Sequence, residues 1–235
     1  SFRLTRQSTA EAESGRTFFR FGGCVMEVSI RILELLGTVA FSASGAMIGI
    51  RKNMDILGIA VLGLVTATGG GVIRDLVLGI HPPNTFKNPI YVEYSVLTAV
   101  ILFVVFYIKK QMLDSKALFY YEKIMILLDA IGLGAFTVIG VETAYEIGYV
   151  HHRFLLLFVG VITGVGGGMI RDMMAQQIPF ILVKQIYACA SLIGAGVCIW
   201  LMPYHKSASM ILGAVVVVII RILAATYRWD LPKID

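Results

Sequence analysis

Charged residues are scarce in this sequence. They make up 15% of its 235 residues, whereas hydrophobic residues make up 57% and the mean hydropathy is +0.82. Soluble domains usually carry about a quarter charged residues. The apolar residues are gathered into runs of about 20, the length that a helix needs to cross about 30 Å of hydrocarbon. The composition excludes an ordinary soluble domain and predicts one compact all-α membrane domain.

Cysteine and histidine are also scarce, and neither is spaced for a metal site. Cys189 and Cys198 lie nine positions apart in one apolar segment, about 13 Å along a helix, so they cannot form a disulfide with each other. No Cys-x-x-Cys pair or Cys/His cluster occurs, and the four histidines stand at the ends of apolar segments. The sequence also has no nucleophile–base pair and no phosphate-binding loop after a strand. We therefore expect neither an enzyme nor a bound cofactor.

Seven apolar runs are long enough to span a membrane. Basic residues, proline or asparagine separate them, as in Arg51-Lys52-Asn53 and His81-Pro82-Pro83-Asn84. Numbered one to seven in chain order, the predicted spans cover residues 29–50, 56–80, 90–108, 122–144, 153–178, 181–202 and 208–227.

The lysines and arginines between the spans indicate the orientation. One side of the predicted bundle receives ten of them and the other receives five, before the N-terminal residues are counted. Because cytoplasmic loops carry the excess of positive charge, we expect the N-terminus outside and the C-terminus in the cytoplasm, with the protein in a bacterial inner membrane. These loops explain the net charge of +5, so we expect membrane lipid as surroundings and no nucleic-acid partner.

Residues 1–25 differ from the rest of the chain because they are polar. The stretch has no apolar core long enough for a cleavable signal peptide, and its four arginines weaken the orientation given by the loops. We expect either a disordered tail or residues that precede a translational start at Met26. In both cases the first apolar helix directs insertion.

The strongest pattern in the sequence is an internal duplication. The segment Glu34–Gly45 matches Asp129–Gly140 at an offset of 95, and Thr66–Asp75 matches Thr163–Asp172 at an offset of 97. The second pair of segments shares Thr-x-x-Gly-Gly-Gly-x-Ile-Arg-Asp, a pattern too long and too polar to recur by chance in an apolar helix.

The duplication divides the chain into two repeats and a last helix. We expect repeat 1 at 26–112 with spans one to three, repeat 2 at 113–203 with spans four to six, and span seven with the C-terminus at 204–235. Because each repeat holds an odd number of spans, the second is predicted to be inverted relative to the first. Inverted repeats place a solute path at their interface.

Each copy has three consecutive glycines inside a span: Gly69, Gly70 and Gly71 in span two, and Gly166, Gly167 and Gly168 in span five. Glycine costs about 1 kcal/mol relative to alanine in a helix interior. In one interpretation both spans are kinked and unwound here, and freed carbonyl groups line a pore. In the other, the missing side chains let two helices pack closely. The charged pair that follows in both copies favours the pore.

An Arg-Asp pair follows the glycines in both copies, Arg74-Asp75 and Arg171-Asp172. A charge inside the membrane costs about 2.5–3.5 kcal/mol on insertion scales, so each needs a partner. Adjacent residues of a helix point in different directions, and the partners are therefore sought elsewhere. We predict Glu34 close to Arg74 and Asp129 close to Arg171. These pairs either hold helices together or form the polar lining or gate of a path.

Other polar residues of the spans are candidates for the lining of a path. Thr66 and Thr163 occupy equivalent positions before the glycines, although hydroxyl residues in membranes more often bond to their own backbone. Glu142 lies deep in span four or near its outer end, as either a pore carboxylate or an interfacial residue.

With its duplicated Gly-Gly-Gly-x-Ile-Arg-Asp motif and its three-plus-three-plus-one spans, the chain resembles the prokaryotic branch of the trimeric intracellular cation (TRIC) channels, whose bacterial members also carry a glycine-transporter label. The resemblance covers nearly all of residues 27–227. It implies a homotrimer in which each protomer has its own pore for K+ or Na+. Spans two and five, kinked at Gly69–Gly71 and Gly166–Gly168, would line that pore.

Three functions remain open on the sequence. A channel for monovalent cations is favoured by the resemblance and by backbone carbonyls at the paired glycines. A secondary transporter for glycine or another small zwitterion is the alternative, since arginines and helix N-termini bind carboxylates and inverted repeats suit alternating access. The third function is that of a scaffold protein without transport activity. The charges inside the membrane are evidence against it, because a scaffold does not need them.

Overall fold

A computed structural model describes residues 2–108, 115–183 and 186–227. In these ranges the chain is helical, with turns and short loops between the helices. The helices are α1 (Phe2–Arg51), α2 (Ile56–Val77), α3 (Asn84–Lys87), α4 (Ile90–Ile108), α5 (Ser115–Glu146), α6 (Arg153–Met174), α7 (Phe180–Val183), α8 (Tyr187–Leu201) and α9 (Lys206–Tyr227).

The all-helical membrane fold expected from the sequence is confirmed. Six helices in the described part are long and apolar enough to cross a membrane: the Glu27–Arg51 part of α1, α2, α4, the Tyr121–Glu146 part of α5, α6 and α9. The sixth predicted span differs from the expectation. Instead of one helix over 181–202, the structure has the short α7 and the 15-residue α8 on either side of residues 184–185, which lie outside the described residues.

Spans two and five are shorter than predicted because both helices end in the same way. α2 ends at Val77 and α6 ends at Met174. Two residues after each helix end, the backbone adopts a left-handed conformation, with φ of 73° at Gly79 and 52° at Gln176. This conformation terminates helices. The sequence indicated this helix end at Gly79, because glycine favours a left-handed conformation. It did not indicate the end at Gln176, because glutamine has no such preference.

The N-terminal residues lie in the same helix as the first span. α1 begins at Phe2, so residues 2–25 belong to a helix. Once a helix is nucleated, each further residue adds at little free-energy cost, and Ala10–Glu13 are strong helix formers. A translational start at Met26 stays a prediction.

The centre of the fold is a crossing of α2 and α6 at the triple glycines. A Cβ added to Gly70 would lie 2.1 Å from the carbonyl oxygen of Thr163, and one added to Gly167 would lie 2.1 Å from the carbonyl oxygen of Thr66. The two contacts are reciprocal and their order along the helices is opposite, so α2 and α6 are antiparallel where they touch. A side chain at either glycine would separate the two backbones.

The unwinding that the glycines suggested is wrong. Both helices are hydrogen-bonded without interruption through Gly69–Gly71 and Gly166–Gly168, so no carbonyl is freed there. The close-packing interpretation accounts for Gly70 and Gly167. A bend of the intact helices at these positions stays a prediction.

A second reciprocal crossing joins α1 and α5. A Cβ on Gly132 would lie 2.0 Å from the ring of Phe41, and one on Gly37 would lie 3.2 Å from the ring of Phe136. The two rings are themselves in contact, with centroids 5.3 Å apart. The order of the contacts is again antiparallel, so both crossings between the copies have the same form.

Contacts within the copies are equivalent as well. In the first copy a Cβ on Gly45 of α1 would lie 2.5 Å from Oγ1 of Thr66 on α2, and in the second a Cβ on Gly140 of α5 would lie 2.5 Å from Oγ1 of Thr163 on α6. Each threonine donates its hydroxyl hydrogen to a carbonyl oxygen of its own helix, four residues earlier. Both are fully buried and hold helix pairs together.

α9 breaks the equivalence between the copies because it packs mainly on α5 and α8 of the second copy. Val217 of α9 lies against Gly194 of α8, and Gly213 of α9 lies against Val138 of α5. Gly160 and Gly164 of α6 likewise pack against α5 inside the protomer.

Gly167→Ala is expected to destabilise the protein by about 1–3 kcal/mol, the usual cost of overpacking, because its Cβ meets a backbone carbonyl that cannot rotate away. The measurement is the thermal unfolding midpoint of the purified protein in detergent. Gly196→Ala is the matched control, since nothing lies within 4 Å of a Cβ there. Equal midpoints for the two variants would show that the helices do not touch at Gly167.

Candidate functional site

The Arg-Asp motif forms the same local ion pair in both copies. Arg74 Nε donates to Asp75 Oδ1 at 2.8 Å, and Arg171 Nε donates to Asp172 Oδ1 at 2.9 Å. This corrects the prediction that neighbours in sequence would not satisfy each other. The arginine side chain is long enough to fold back along the helix onto the adjacent carboxylate.

The second oxygen of each aspartate holds the loop that follows its helix. Asp75 Oδ2 accepts a hydrogen bond from the backbone N–H of Asn84 at 2.6 Å, and Asp172 Oδ2 accepts one from the N–H of Phe180 at 2.9 Å. Asn84 and Phe180 are the first residues of the short helices α3 and α7. A carboxylate at a helix N-terminus satisfies an otherwise unpaired donor. Each aspartate thus joins an arginine to a short helix.

The second copy adds further partners and forms an enclosed cluster. Arg171 Nη1 donates to Asp129 Oδ1 at 2.6 Å and to Ser44 Oγ at 2.7 Å. Arg221 of α9 approaches the other oxygen of Asp129 at 3.9 Å. Asp129 and Arg171 are 1% and 0% exposed. The predicted contact between Asp129 and Arg171 is confirmed, and we call the set Asp129, Arg171, Asp172, Tyr187 and Arg221 the enclosed cluster.

Two aromatic rings complete the enclosed cluster. The guanidinium of Arg221 lies 4.5 Å from the ring centroid of Tyr187, and that of Arg171 lies 5.5 Å from that of Phe180. Gly168 lies beneath the cluster, where an added Cβ would be 2.9 Å from the Tyr187 hydroxyl and 3.6 Å from Arg171 Nη2.

The first copy is arranged differently, and one prediction is wrong there. Glu34 accepts a hydrogen bond from the hydroxyl of Tyr91, and no ion pair within 4 Å joins it to Arg74 among the described residues. Tyr91 of α4 donates its hydroxyl hydrogen to Glu34, and Arg74 pairs with Asp75 instead. Tyr91 and Tyr187 are equivalent residues at an offset of 96, a correspondence that was readable from the sequence.

The environment of the two arginines differs because their neighbours are not duplicated. Ser44, which binds Arg171, corresponds to Ile139 at the offset of 95. Arg221 belongs to α9, outside the duplication. Sequence reasoning overlooked Arg221, although an arginine inside a predicted span is a signal in itself. Two of the polar groups that enclose Arg171, those of Ser44 and Arg221, therefore have no equivalents around Arg74.

Arg74 instead borders a large cavity of about 1080 Å³. Gly71 and Thr68 of α2 and Phe136 and Ile139 of α5 line its inner part. Its charged lining is unequal, with two arginines, Arg31 and Arg74, against five carboxylates, Glu27, Glu34, Glu93, Glu142 and Glu146. Glu142, whose place was open, is a buried residue of this wall.

A smaller cavity of about 460 Å³ lies beside the enclosed cluster. Gln177, Phe180 and Arg221 line it and also touch the cluster, since Gln177 Nε2 donates to Asp172 Oδ1 at 3.0 Å. Arg51 and Lys52, from the loop after span one, complete one side.

The triple glycines lie next to both the large cavity and the enclosed cluster. Gly71 lines the large cavity, Gly70 and Gly167 form the backbone contact, and Gly168 faces the enclosed cluster beside the small cavity. Gly69 and Gly166 pack against Ile170 and Ile73 of the opposite helix. Thr66 and Thr163 are buried and do not border either cavity.

Asp129→Asn is expected to cost about 3–5 kcal/mol, because removing one member of a buried ion pair leaves the other without compensation. Glu34→Gln is the matched variant in the first copy, and a cost below about 1 kcal/mol is expected since a glutamine oxygen still accepts from Tyr91. Thermal unfolding in detergent measures both. Similar losses for the two variants would contradict the difference between the copies.

The sequence model of one family, described as Glycine transporter, matches the chain twice, over residues 31–107 and 126–203. Each match falls in one copy of the duplication. Similar curated proteins include the UPF0126 inner membrane protein YadS of Escherichia coli K12, which is 36% identical over 209 residues, covering 85% of this chain and 93% of that protein. The UPF0126 membrane protein YvgT of Bacillus subtilis is 33% identical over 202 residues, covering 86% and 95%.

Similar solved structures are TRIC channels. One from a study of conductance through TRIC cation channels is 35% identical with a TM-score of 0.74, covering 87% of this chain and 97% of that one. A prokaryotic TRIC channel in KCl is 33% identical with a TM-score of 0.77, covering 86% and 98%. The Rhodobacter sphaeroides TRIC orthologue is 31% identical with a TM-score of 0.75, covering 85% and 98%. The chain therefore belongs to the Glycine transporter family of UPF0126 membrane proteins, and its fold is that of the TRIC channels.

Proposed function

We propose that this protein is a channel for monovalent cations, K+ or Na+, with one path in each protomer of a homotrimer. The TRIC cation channels that share its fold and about a third of its sequence support this function. The Rhodobacter sphaeroides orthologue, described as trimeric, supports the assembly.

The observation that carries the proposal is the carboxylate-rich cavity that ends at the glycine crossing. A cleft lined mainly by one sign of charge raises the local concentration of ions of the opposite sign. Five carboxylates against two guanidinium groups favour cations, and the pairing of Arg74 with Asp75 reduces the repulsion that this arginine would exert. Arg74 and Glu34 then belong to the polar lining, and the buried Asp75 holds Arg74 in place.

The path runs from the large cavity past the glycines to the small cavity. The antiparallel crossings of α2 with α6 and of α1 with α5 support two inverted repeats. We infer that the N-terminus lies outside and the C-terminus in the cytoplasm of a bacterial inner membrane. Arg51 and Lys52, which line the small cavity, support its location on the cytoplasmic side. YadS, described as an inner membrane protein, supports this location.

The enclosed cluster is the closed gate of this path. Arg171 pairs with Asp129 and Asp172 beside Gly168, and Gln177, which bonds to Asp172, lines the small cavity. A bend of α6 at Gly166–Gly168 moves its last turn, with Arg171 and Asp172, away from Asp129 on α5. The glycines thereby serve both the crossing and the movement that opens the gate.

The test is current through the full-length protein reconstituted in planar bilayers, recorded under K+ and under Cl− gradients. Reversal potentials that follow K+ are expected. Gly71→Leu is expected to lower the conductance several-fold, because a Cβ on Gly71 meets only Arg74, 4.0 Å away, and the larger side chain enters the cavity. Gly196→Leu, in open space on α8, is the control.

Substitutions of Gly70 or Gly167 do not serve this purpose, because they break the helix crossing and mix loss of folding with loss of conduction. Silent bilayers together with saturable uptake of labelled glycine into liposomes would overturn the channel and make the protein a carrier. If Gly71→Leu carried the same current as the parent protein, the ion path would not pass through this cavity.

A further inference from the structure

One lysine contacts two of the five carboxylates that line the large cavity. Lys206, the first residue of α9, lies with its Nζ 3.0 Å from Glu142 Oε1 and also forms an ion pair with Glu146. Both glutamates belong to the last turns of α5. Lys206 itself is not among the residues that line the cavity, so it reaches the two carboxylates from the side of α9.

This three-residue group has no equivalent in the first copy. At the offset of 95, Glu142 corresponds to Met47, and α9 has no counterpart at all. The group is also unlike the exposed ion pair of Arg51 and Glu122, whose side chains are 52% and 50% exposed and whose closest atoms are 3.5 Å apart. The side chains of Lys206 and Glu142 are only 15% and 11% exposed.

The group carries one net negative charge, since two carboxylates face one ammonium. Removal of a carboxylate from water is costly without a partner of opposite charge. Lys206 supplies that partner for Glu142, and it offsets part of the negative potential that the cavity wall presents to water. Its effect on Glu142 is strong because these two side chains are largely shielded from solvent, whereas the side chain of Glu146 is 56% exposed.

We propose that Lys206 is a specificity-determining residue of the cation path, which sets how strongly the large cavity concentrates cations. The proposal rests on the channel function proposed above. Within it, Lys206 limits the cation concentration and the K+ conductance, and the neutralisation of Lys206 strengthens both. A lysine that only held α9 to α5 would influence stability and leave the ratio of K+ to Cl− permeability unchanged.

A series of variants changes the charge of this group in single steps. Lys206→Gln leaves two negative charges, the parent has one, Glu142→Gln has none, and Glu142→Gln with Glu146→Gln leaves one positive charge. At alkaline pH, which favours ionised carboxylates, we expect K+ conductance and K+ over Cl− selectivity to fall in this order. In about 10 mM salt each step is expected to change the conductance about twofold, and in about 1 M salt the steps vanish through screening.

Two controls separate charge from structure. Lys206→Arg keeps the charge and is expected to conduct like the parent. Lys87→Gln removes one positive charge from an exposed residue of α3, a helix beside the same cavity, and is expected to change the conductance much less. Thermal unfolding midpoints show which variants are folded, and if Lys206→Gln is not, the two glutamate variants decide alone.

The outcomes also separate this proposal from the one on which it rests. A parent protein without cation current overturns the channel function. A parent with cation current and a series in which selectivity does not follow charge, or follows it equally at low and high salt, overturns the role of Lys206 and leaves the channel intact.

Discussion

The architecture depends on one contact between two backbones. At Gly70 and Gly167 the helices α2 and α6 approach so closely that a methyl group on either would overlap a carbonyl oxygen of the other. Because this contact is antiparallel, the arginines that follow the glycines are carried away from each other, one toward each cavity. The positions of both Arg-Asp pairs, and of the short helices that their aspartates hold, follow from this crossing.

Identical motifs acquire different surroundings from residues outside the motif. Arg74 and Arg171 form the same bond to the next aspartate, yet Arg171 is enclosed and Arg74 borders a large cavity. Ser44 and Arg221 account for the difference. Arg171 bonds to Ser44 of the first copy, whereas the equivalent residue of the second copy is Ile139, which cannot bond to Arg74, and α9 has no counterpart. The duplication provides two similar Arg-Asp pairs, one at the end of α2 and one at the end of α6. The unduplicated helix α9 contributes to the enclosure of the second pair.

Much of the fold was predictable from the sequence because its main determinants are local. Apolar run lengths indicated the spans, and the duplicated motif identified the helices at the centre. The partnership of Asp129 with Arg171 followed from the cost of charge inside a membrane. The same reasoning failed for Glu34, since a tyrosine of α4 competes for the carboxylate, and such competition depends on distances that exist only after packing. The left-handed conformation of Gln176 is likewise not indicated by its residue type.

The reciprocal glycine contacts limit how the two halves can diverge. A side chain that clashes with another side chain is accommodated when its neighbour becomes smaller, but the atoms opposite Gly70 and Gly167 are carbonyl oxygens, which every residue possesses. No substitution in one half restores space lost to a substitution in the other. Elsewhere, as at Ser44 and Ile139, the copies are free to differ and have done so. In this protein, pairs of compensating changes between the halves are therefore expected around the crossing and not at it.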